Sequence, residues 1–277
     1  MPETYHSQET RVLSSTMNVA LRGRDIRLSY FDRPGDQGAI FYVHGLGCSK
    51  ADFLEMTEDP CLHSCRLIAY DHPGCGDSPY DPAHPLNIDD LAELVHSFTT
   101  ALGLSNFLLV GGSMGGLVAL LYAERHVSKI TGFVNVEGNL APEDCMFSRQ
   151  TAAHDYSQFE NEIFPKIKGG LAAPHTTVGT KRHLQVLQRA VPHAYHDYSP
   201  QIVHYSDHGN LLERFVSLPV PRYFVYGSEN RHLSYIPQLR QLDCEVIEIP
   251  NANHFLFYDN PSAFAALLAG IASGNRK

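Results

Sequence analysis

No stretch of this 277-residue chain approaches the run of about 18 or more apolar residues that a membrane-spanning helix needs, so no transmembrane span is expected. The opening Met1-Pro-Glu-Thr-Tyr-His-Ser-Gln has no basic segment followed by an apolar one, so it does not read as a secretory leader, and a cytoplasmic location is the expectation. Basic residues are short of acidic ones, 21 against 30, which leaves a formal net charge of −9. Such a surface repels nucleic acid and anionic membrane, and neither is an expected partner. Cysteines are few and scattered. Cys61 and Cys65 have the spacing of a ligand or disulfide pair, but no second pair completes a zinc site, and free thiols are the default. Histidines are many, 16 in all, and those between His154 and His208 read as surface or pocket-wall residues, not as a metal centre. Internal repeats are lacking. With 43% hydrophobic and 18% charged residues, the chain can bury a large core and is not disordered.

What is present alternates. Residues 1 to 10 read as a loose arm. Asp25-Ile-Arg-Leu-Ser-Tyr30 has the period of an edge strand, and Arg33-Pro-Gly-Asp-Gln-Gly38 is a turn cluster. Ala39–Val43 is a continuous apolar strand ending in His44-Gly45-Leu46-Gly47. Arg66–Tyr70 is another, ending in Asp71-His-Pro-Gly-Cys-Gly-Asp-Ser78. Asn87 caps a helix with Leu91, Leu94, Val95, Phe98 and Leu102 on one face. Phe107–Val110 reads as a buried strand and Leu117–Tyr122 as a buried helix. Ile130–Val136 is a strand closed by Glu137. From about 138 to 218 no strand is evident, and helical patterns fall around 158–167, 181–191 and 209–216. Strand and helix then resume with Pro221–Tyr226, a short helix near 234–241, Cys244–Ile249, and a last helix carrying Phe264, Leu267, Leu268 and Ile271. This order predicts an α/β fold with a mostly parallel sheet. The core would be built from 1–137 and 219–277, with 138–218 inserted as a helical cap. Functional groups of such sheets collect at the carboxyl ends of the strands. His44, Asp71, Ser113, Glu137, Gly227 and Asn251 all fall there.

Between the strand Phe107–Val110 and its helix lies G-x-S-x-G, with Gly111, Ser113 and Gly115 in the fixed places. Alone the pattern is an ordinary Gly-rich turn or a phosphate loop. The strand before it and the helix after it favour a tight elbow with the Ser113 hydroxyl at the tip and helix N–H groups beside it, as an acyl-transfer nucleophile requires. A serine needs a base. His254, in Pro250-Asn-Ala-Asn-His254-Phe, follows the last strand and is favoured over His44, whose Gly-rich loop suits a structural role. The base needs a carboxylate to fix its tautomer. On these grounds Glu137, after the strand that follows the elbow, and Glu229, beside Asn230 after the next strand, both remain open.

Four segments together resemble the α/β-hydrolase fold family over about residues 20 to 273: H-G-L-G at 44–47, D-x-P-G-x-G-x-S at 71–78, G-G-S-M-G-G at 111–116 and N-x-N-H at 251–254. The resemblance implies Ser113 as nucleophile, His254 as base, a lid over 138–218, and an oxyanion hole from the backbone N–H groups of Leu46 and Met114. His44 would brace that loop, and Asp71 to Ser78 would tie the loop beside the site. The family's usual acid is an Asp in a G-x-x-D loop, where this chain reads Gly227-Ser228-Glu229-Asn230. Members similar to haloalkane dehalogenases place a Glu after the preceding strand instead, which makes Glu137 the first choice, Glu229 the second and an acid-free Asn230 arrangement the last. The expected activity is hydrolysis of a carboxylic ester, lactone or thioester of a small organic substrate, with no cofactor or metal, by a monomer or homodimer. A carbon–carbon bond hydrolase, an acyltransferase, an aminopeptidase and a non-enzymatic small-molecule receptor are the alternatives the same fold allows.

Overall fold

The computed structural model describes residues 14–242 and 244–274. The arm expected over 1 to 10 lies outside the described residues. Among the described residues eight strands form one sheet: β1 (Ser15–Leu21), β2 (Arg24–Arg33), β3 (Ala39–Val43), β4 (Arg66–Tyr70), β5 (Phe107–Gly112), β6 (Ile130–Val136), β7 (Arg222–Gly227) and β8 (Glu245–Ile249). Their order across the sheet is β1-β2-β4-β3-β5-β6-β7-β8. The pairs β1–β2 and β2–β4 are antiparallel, and every pair from β4 to β8 is parallel.

The strand β1 has no counterpart in the sequence pattern. It is an edge strand with mostly exposed side chains and the composition Ser-Thr-Met-Asn-Val-Ala-Leu, so its apolar alternation is weak. The two-residue turn Arg22-Gly23, with φ of 50° and 75°, joins it to β2 as a hairpin.

The central strands are covered on both faces, which is why they read as unbroken apolar runs. Alternate side chains go to opposite cores. Phe41 and Val43 pack with Leu91, Phe98 and Leu117 on one side. Ile40 and Tyr42 pack with Phe53, Leu62, Phe264 and Leu268 on the other. The helix Ile88–Ala101 starts as its sequence dictates. The Asn87 side chain accepts the Asp90 N–H, and Asp90 accepts the Asn87 N–H, at 3.0 Å each.

Between β6 and β7 the described residues contain helices and no strand. The expected patterns fall on a π-turn with the helix Phe164–Leu171, on Val178–Leu187, and on Leu211–Val216. The longest helix of the segment, Pro192–His208, was not anticipated. Pro200 in its interior and four histidines obscure the buried stripe of Ala194, Tyr195, Tyr198 and Ile202.

The elbow depends on a close approach. The helix Met114–His126 begins against the end of β3, and a Cβ at Gly115 would lie 2.1 Å from the Val43 carbonyl oxygen and 2.5 Å from that of His44. A Cβ at Gly111 would meet the Gly115 carbonyl oxygen at 2.5 Å. Gly115→Ala is therefore expected to cost about 1–3 kcal/mol or more through overpacking against immobile backbone. Gly169→Ala, in a helix with nothing within 4 Å of the added carbon, should gain about 0.5–1 kcal/mol. Urea-unfolding midpoints of the two variants, moving in opposite directions from that of the parent, check both.

Candidate active site

Two residues at the strand ends hold backbone conformations that side chains seldom adopt. Ser113 has φ 53° and Glu137 has φ 43°. Such geometry persists only where surrounding bonds fix it. The Ser113 N–H donates to the Val136 carbonyl at 3.1 Å, the Gly116 N–H donates to the Ser113 carbonyl at 2.8 Å, and the Glu137 N–H donates to the Val225 carbonyl at 3.0 Å. The ends of β5, β6 and β7 are thus locked to one another with both side chains turned out of the regular pattern.

His254 follows β8, and its Nδ1 meets Glu137 Oε2 at 2.8 Å. With the carboxylate accepting there, Nδ1 carries the proton and Nε2 is left for other work. The imidazole keeps 38% of its side-chain surface accessible, and the carboxylate 5%. Glu137 is held further by the Gly227 N–H at 2.8 Å and by the Asn230 side-chain amide, which donates to both carboxylate oxygens at 2.9 Å. Burial pushes the Glu137 carboxyl up, but the bonds from His254, Asn230 and Gly227 outweigh it and leave the group below its ordinary value. Burial pulls His254 down, and the hydrogen bond and charge of Glu137, with a smaller contribution from Asp144, leave it above its ordinary value.

The other expected residues sort by contact. Glu229 is exposed, and its backbone N–H donates to the Ala252 carbonyl at 3.0 Å. The side chain that reaches the site from that loop is Asn230, acting as a donor to the acid. Its place in the G-x-x-D-like loop was the signal, although the sequence could not say that it would clamp Glu137. Asn253 completes the arrangement: its side-chain oxygen accepts the His254 N–H at 2.7 Å and the Asn230 amide at 3.1 Å. His44 is buried with both ring nitrogens engaged, Nδ1 with the Gly45 carbonyl and Nε2 with the His72 N–H, each at 2.8 Å. Burial also pulls it down to about 4, so it braces the loop as a neutral ring. The Asp71 carboxylate accepts the Lys50 N–H at 2.7 Å, the Lys50 ammonium at 2.6 Å and the Asp77 N–H at 2.8 Å, tying that loop together.

A cavity of about 500 Å³ opens above Ser113, Glu137 and His254, with Leu46 and Met114 also in its wall. Met114 opens its helix, where the first N–H groups have no intrahelical acceptor. Phe147, Leu171, Tyr195, Ile202 and Phe255 give the cavity apolar surface, and Asn139, Glu143, Asp144 and His232 give it polar surface. Glu143 and Asp144 carried no signal in the sequence. Among the described residues no group of three or more His, Cys, Asp or Glu is placed to hold a metal ion. His204 and His208 stand one helical turn apart, with ring centroids 5.5 Å from each other. Cys48, Cys61, Cys65, Cys75 and Cys145 are free thiols.

A family model for the α/β-hydrolase fold matches residues 38–261. The chain belongs to the α/β-hydrolase family. This α/β-hydrolase is 26% identical over 259 residues to a monoacylglycerol lipase of Homo sapiens, spanning 87% of its own length and 77% of that protein's. It is 26% identical over 298 residues to a 1-acylglycerol-3-phosphate O-acyltransferase of Arabidopsis thaliana, spanning 92% and 70%. Among solved structures it resembles a thermophilic esterase from Thermogutta terrifontis, with a TM-score of 0.76 at 17% identity, over 95% of this chain and all of that one. Among the described residues no helix is long and apolar enough to cross a membrane.

The Glu137–His254 contact makes a direct prediction. The His254 imidazole should titrate by NMR with a midpoint above 6.5, and Glu137→Gln should move that midpoint down. Because the folded-state value is raised, the proton on His254 stabilises the fold fully below pH 6.5, and this contribution is lost as pH rises through the raised value. An unchanged midpoint in the variant would show that the carboxylate does not hold the imidazole's proton.

Proposed function

We propose that this α/β-hydrolase is a serine hydrolase that cleaves a carboxylic ester, lactone or thioester of a small organic substrate. The observation that carries the reading is the Glu137–His254 hydrogen bond at the wall of a cavity shared with the elbow serine. The lipase and the esterase named above favour ester hydrolysis over the other chemistries of the fold. In this reading His254 Nε2 takes the proton of the Ser113 hydroxyl as its oxygen bonds to the substrate carbonyl carbon. The carbonyl oxygen becomes an oxyanion held by the N–H groups of Met114 and Leu46, each worth about 10²–10³ in rate. The bond to the leaving group breaks, and that group takes the proton from His254. Water then attacks the acyl-enzyme, gives a proton to His254, and releases the acid as Ser113 recovers its hydrogen. Glu137 keeps the imidazole oriented and steadies its positive form. The segment 138–218 serves as the lid, since its side chains Phe147, Leu171, Tyr195 and Ile202 supply much of the apolar wall.

An acyltransferase, as in the plant relative, would use the same acyl-enzyme with an alcohol in place of water. A fluorophosphonate should label the protein at one site, and Ser113→Ala should abolish labelling. Glu137→Gln should lower kcat on a chromogenic ester by about 10³–10⁴, whereas Glu229→Gln should leave it within about twofold. Loss of activity on changing Glu229 with Glu137 dispensable would transfer the acid's role to the later loop. Stoichiometric labelling without turnover of any ester would favour a receptor.

A further inference from the structure

The cavity has a one-sided charge. Among the described residues three carboxylates line it, Glu137, Glu143 and Asp144, and no Lys or Arg does. Glu137 is matched by His254 and Asn230. The partners of the other two are neutral donors. Glu143 Oε1 accepts the Ser234 N–H at 2.7 Å and the Ser234 hydroxyl at 3.0 Å. Asp144 Oδ2 accepts the N–H groups of Leu140 and Ala141 at 2.8 Å each, and Oδ1 accepts the Tyr235 hydroxyl at 2.9 Å. Neutral donors fix a carboxylate in place without cancelling its charge. Of the histidines in the wall besides His254, His183 is pulled down to about 3 by burial and stays neutral, and His232 is the other.

The position of these carboxylates relative to the chemistry follows from the base. In the serine-hydrolase reading, on which this inference rests, the leaving group takes its proton from His254 and so lies against that imidazole. Asp144 is near enough for its charge to act on His254. Glu143 precedes it in the same turn, and both bond to the adjacent residues Ser234 and Tyr235. In that reading the acidic wall, which lines the same cavity as His254, falls on the leaving-group side. A phosphate or carboxylate there would meet two like charges and no Lys or Arg to pair with, whereas hydroxyls or an ammonium would find acceptors. We propose that the substrate's leaving group is uncharged or cationic, a hydroxyl- or ammonium-bearing alcohol in preference to one carrying phosphate or carboxylate, and that Glu143 and Asp144 set this preference.

Butanoyl esters of glycerol, choline and glycerol phosphate, assayed at about pH 8 where an ordinary imidazole is neutral, test it. At low ionic strength kcat/KM for the phosphate-bearing ester should be about tenfold or more below that for the glycerol ester, with the choline ester equal to the glycerol ester or better. Added salt should narrow the gap by screening, which a steric cause would not do. Glu143→Gln should narrow it too, and Glu143→Lys further. Equal turnover of the phosphate and glycerol esters overturns the inference and leaves the hydrolase reading intact. So does a gap that neither salt nor Glu143→Gln moves. No turnover of any ester, with Ser113 unlabelled by a neutral fluorophosphonate, removes both readings together.

Discussion

The carboxylate of Glu137 is the point on which the site depends. A charge buried to this degree is costly unless it is paired and fully hydrogen-bonded. Glu137 stands at the end of β6, and its donors come from two other places in the chain: the end of β7 and the loop after it supply Gly227 and Asn230, and the loop after β8 supplies His254. That reach is possible because β6, β7 and β8 are parallel neighbours in the sheet. Adjacent strands lie about 4.8 Å apart, so a long side chain at the end of β6 can span β7 and meet a loop that follows β8. An Asp at the same strand end would be one methylene shorter. Strand order thus decides which residues far apart in sequence meet, and the buried charge decides that they stay together.

Asn230 belongs to the same constraint. With the acid already supplied from β6, a second carboxylate at position 230 would sit within hydrogen-bonding distance of the first, and one of the two would have to hold a proton. The amide removes that conflict. It offers N–H to both oxygens of Glu137 while also bonding Asn253, which accepts the His254 N–H. The departure from the usual acidic loop is therefore part of the arrangement that keeps Glu137 ionised and His254 aimed.

Much of this was legible in the chain. Strand ends, the tight elbow and the pairing of His254 with a carboxylate follow from apolar runs, glycine spacing and the chemistry a serine needs, and these are local or topological signals. The edge strand β1 escaped because an exposed strand has no core to impose alternation. The helix Pro192–His208 escaped because its buried stripe is interrupted by polar aromatic rings and a proline that tertiary contacts tolerate, such as the Tyr198 hydroxyl bonding the Pro73 carbonyl at 2.7 Å. Glu143 and Asp144 escaped because acidic residues in a loop are ordinary in an acidic protein. Only the fold places them over a cavity.

The inserted helices are not a separate layer resting on the core. Arg189 pairs with Asp77, which pairs with Lys50 at 2.9 Å, and Lys50 is itself buried against Asp71, so the interior of the insertion is tied into the loop after β4. The other tie is closer to the chemistry. Asp259 accepts the Gly179 N–H at the start of the helix Val178–Leu187 with one carboxylate oxygen, at 2.7 Å, and the Asn253 N–H with the other, at 3.0 Å. Asn253 in turn accepts the N–H of His254. One carboxylate therefore sets both the seat of a helix that contributes Thr180 and His183 to the cavity wall and the loop that presents the imidazole. The two positions are not independent, because displacing that helix start withdraws a donor from the anchor that the His254 loop also uses.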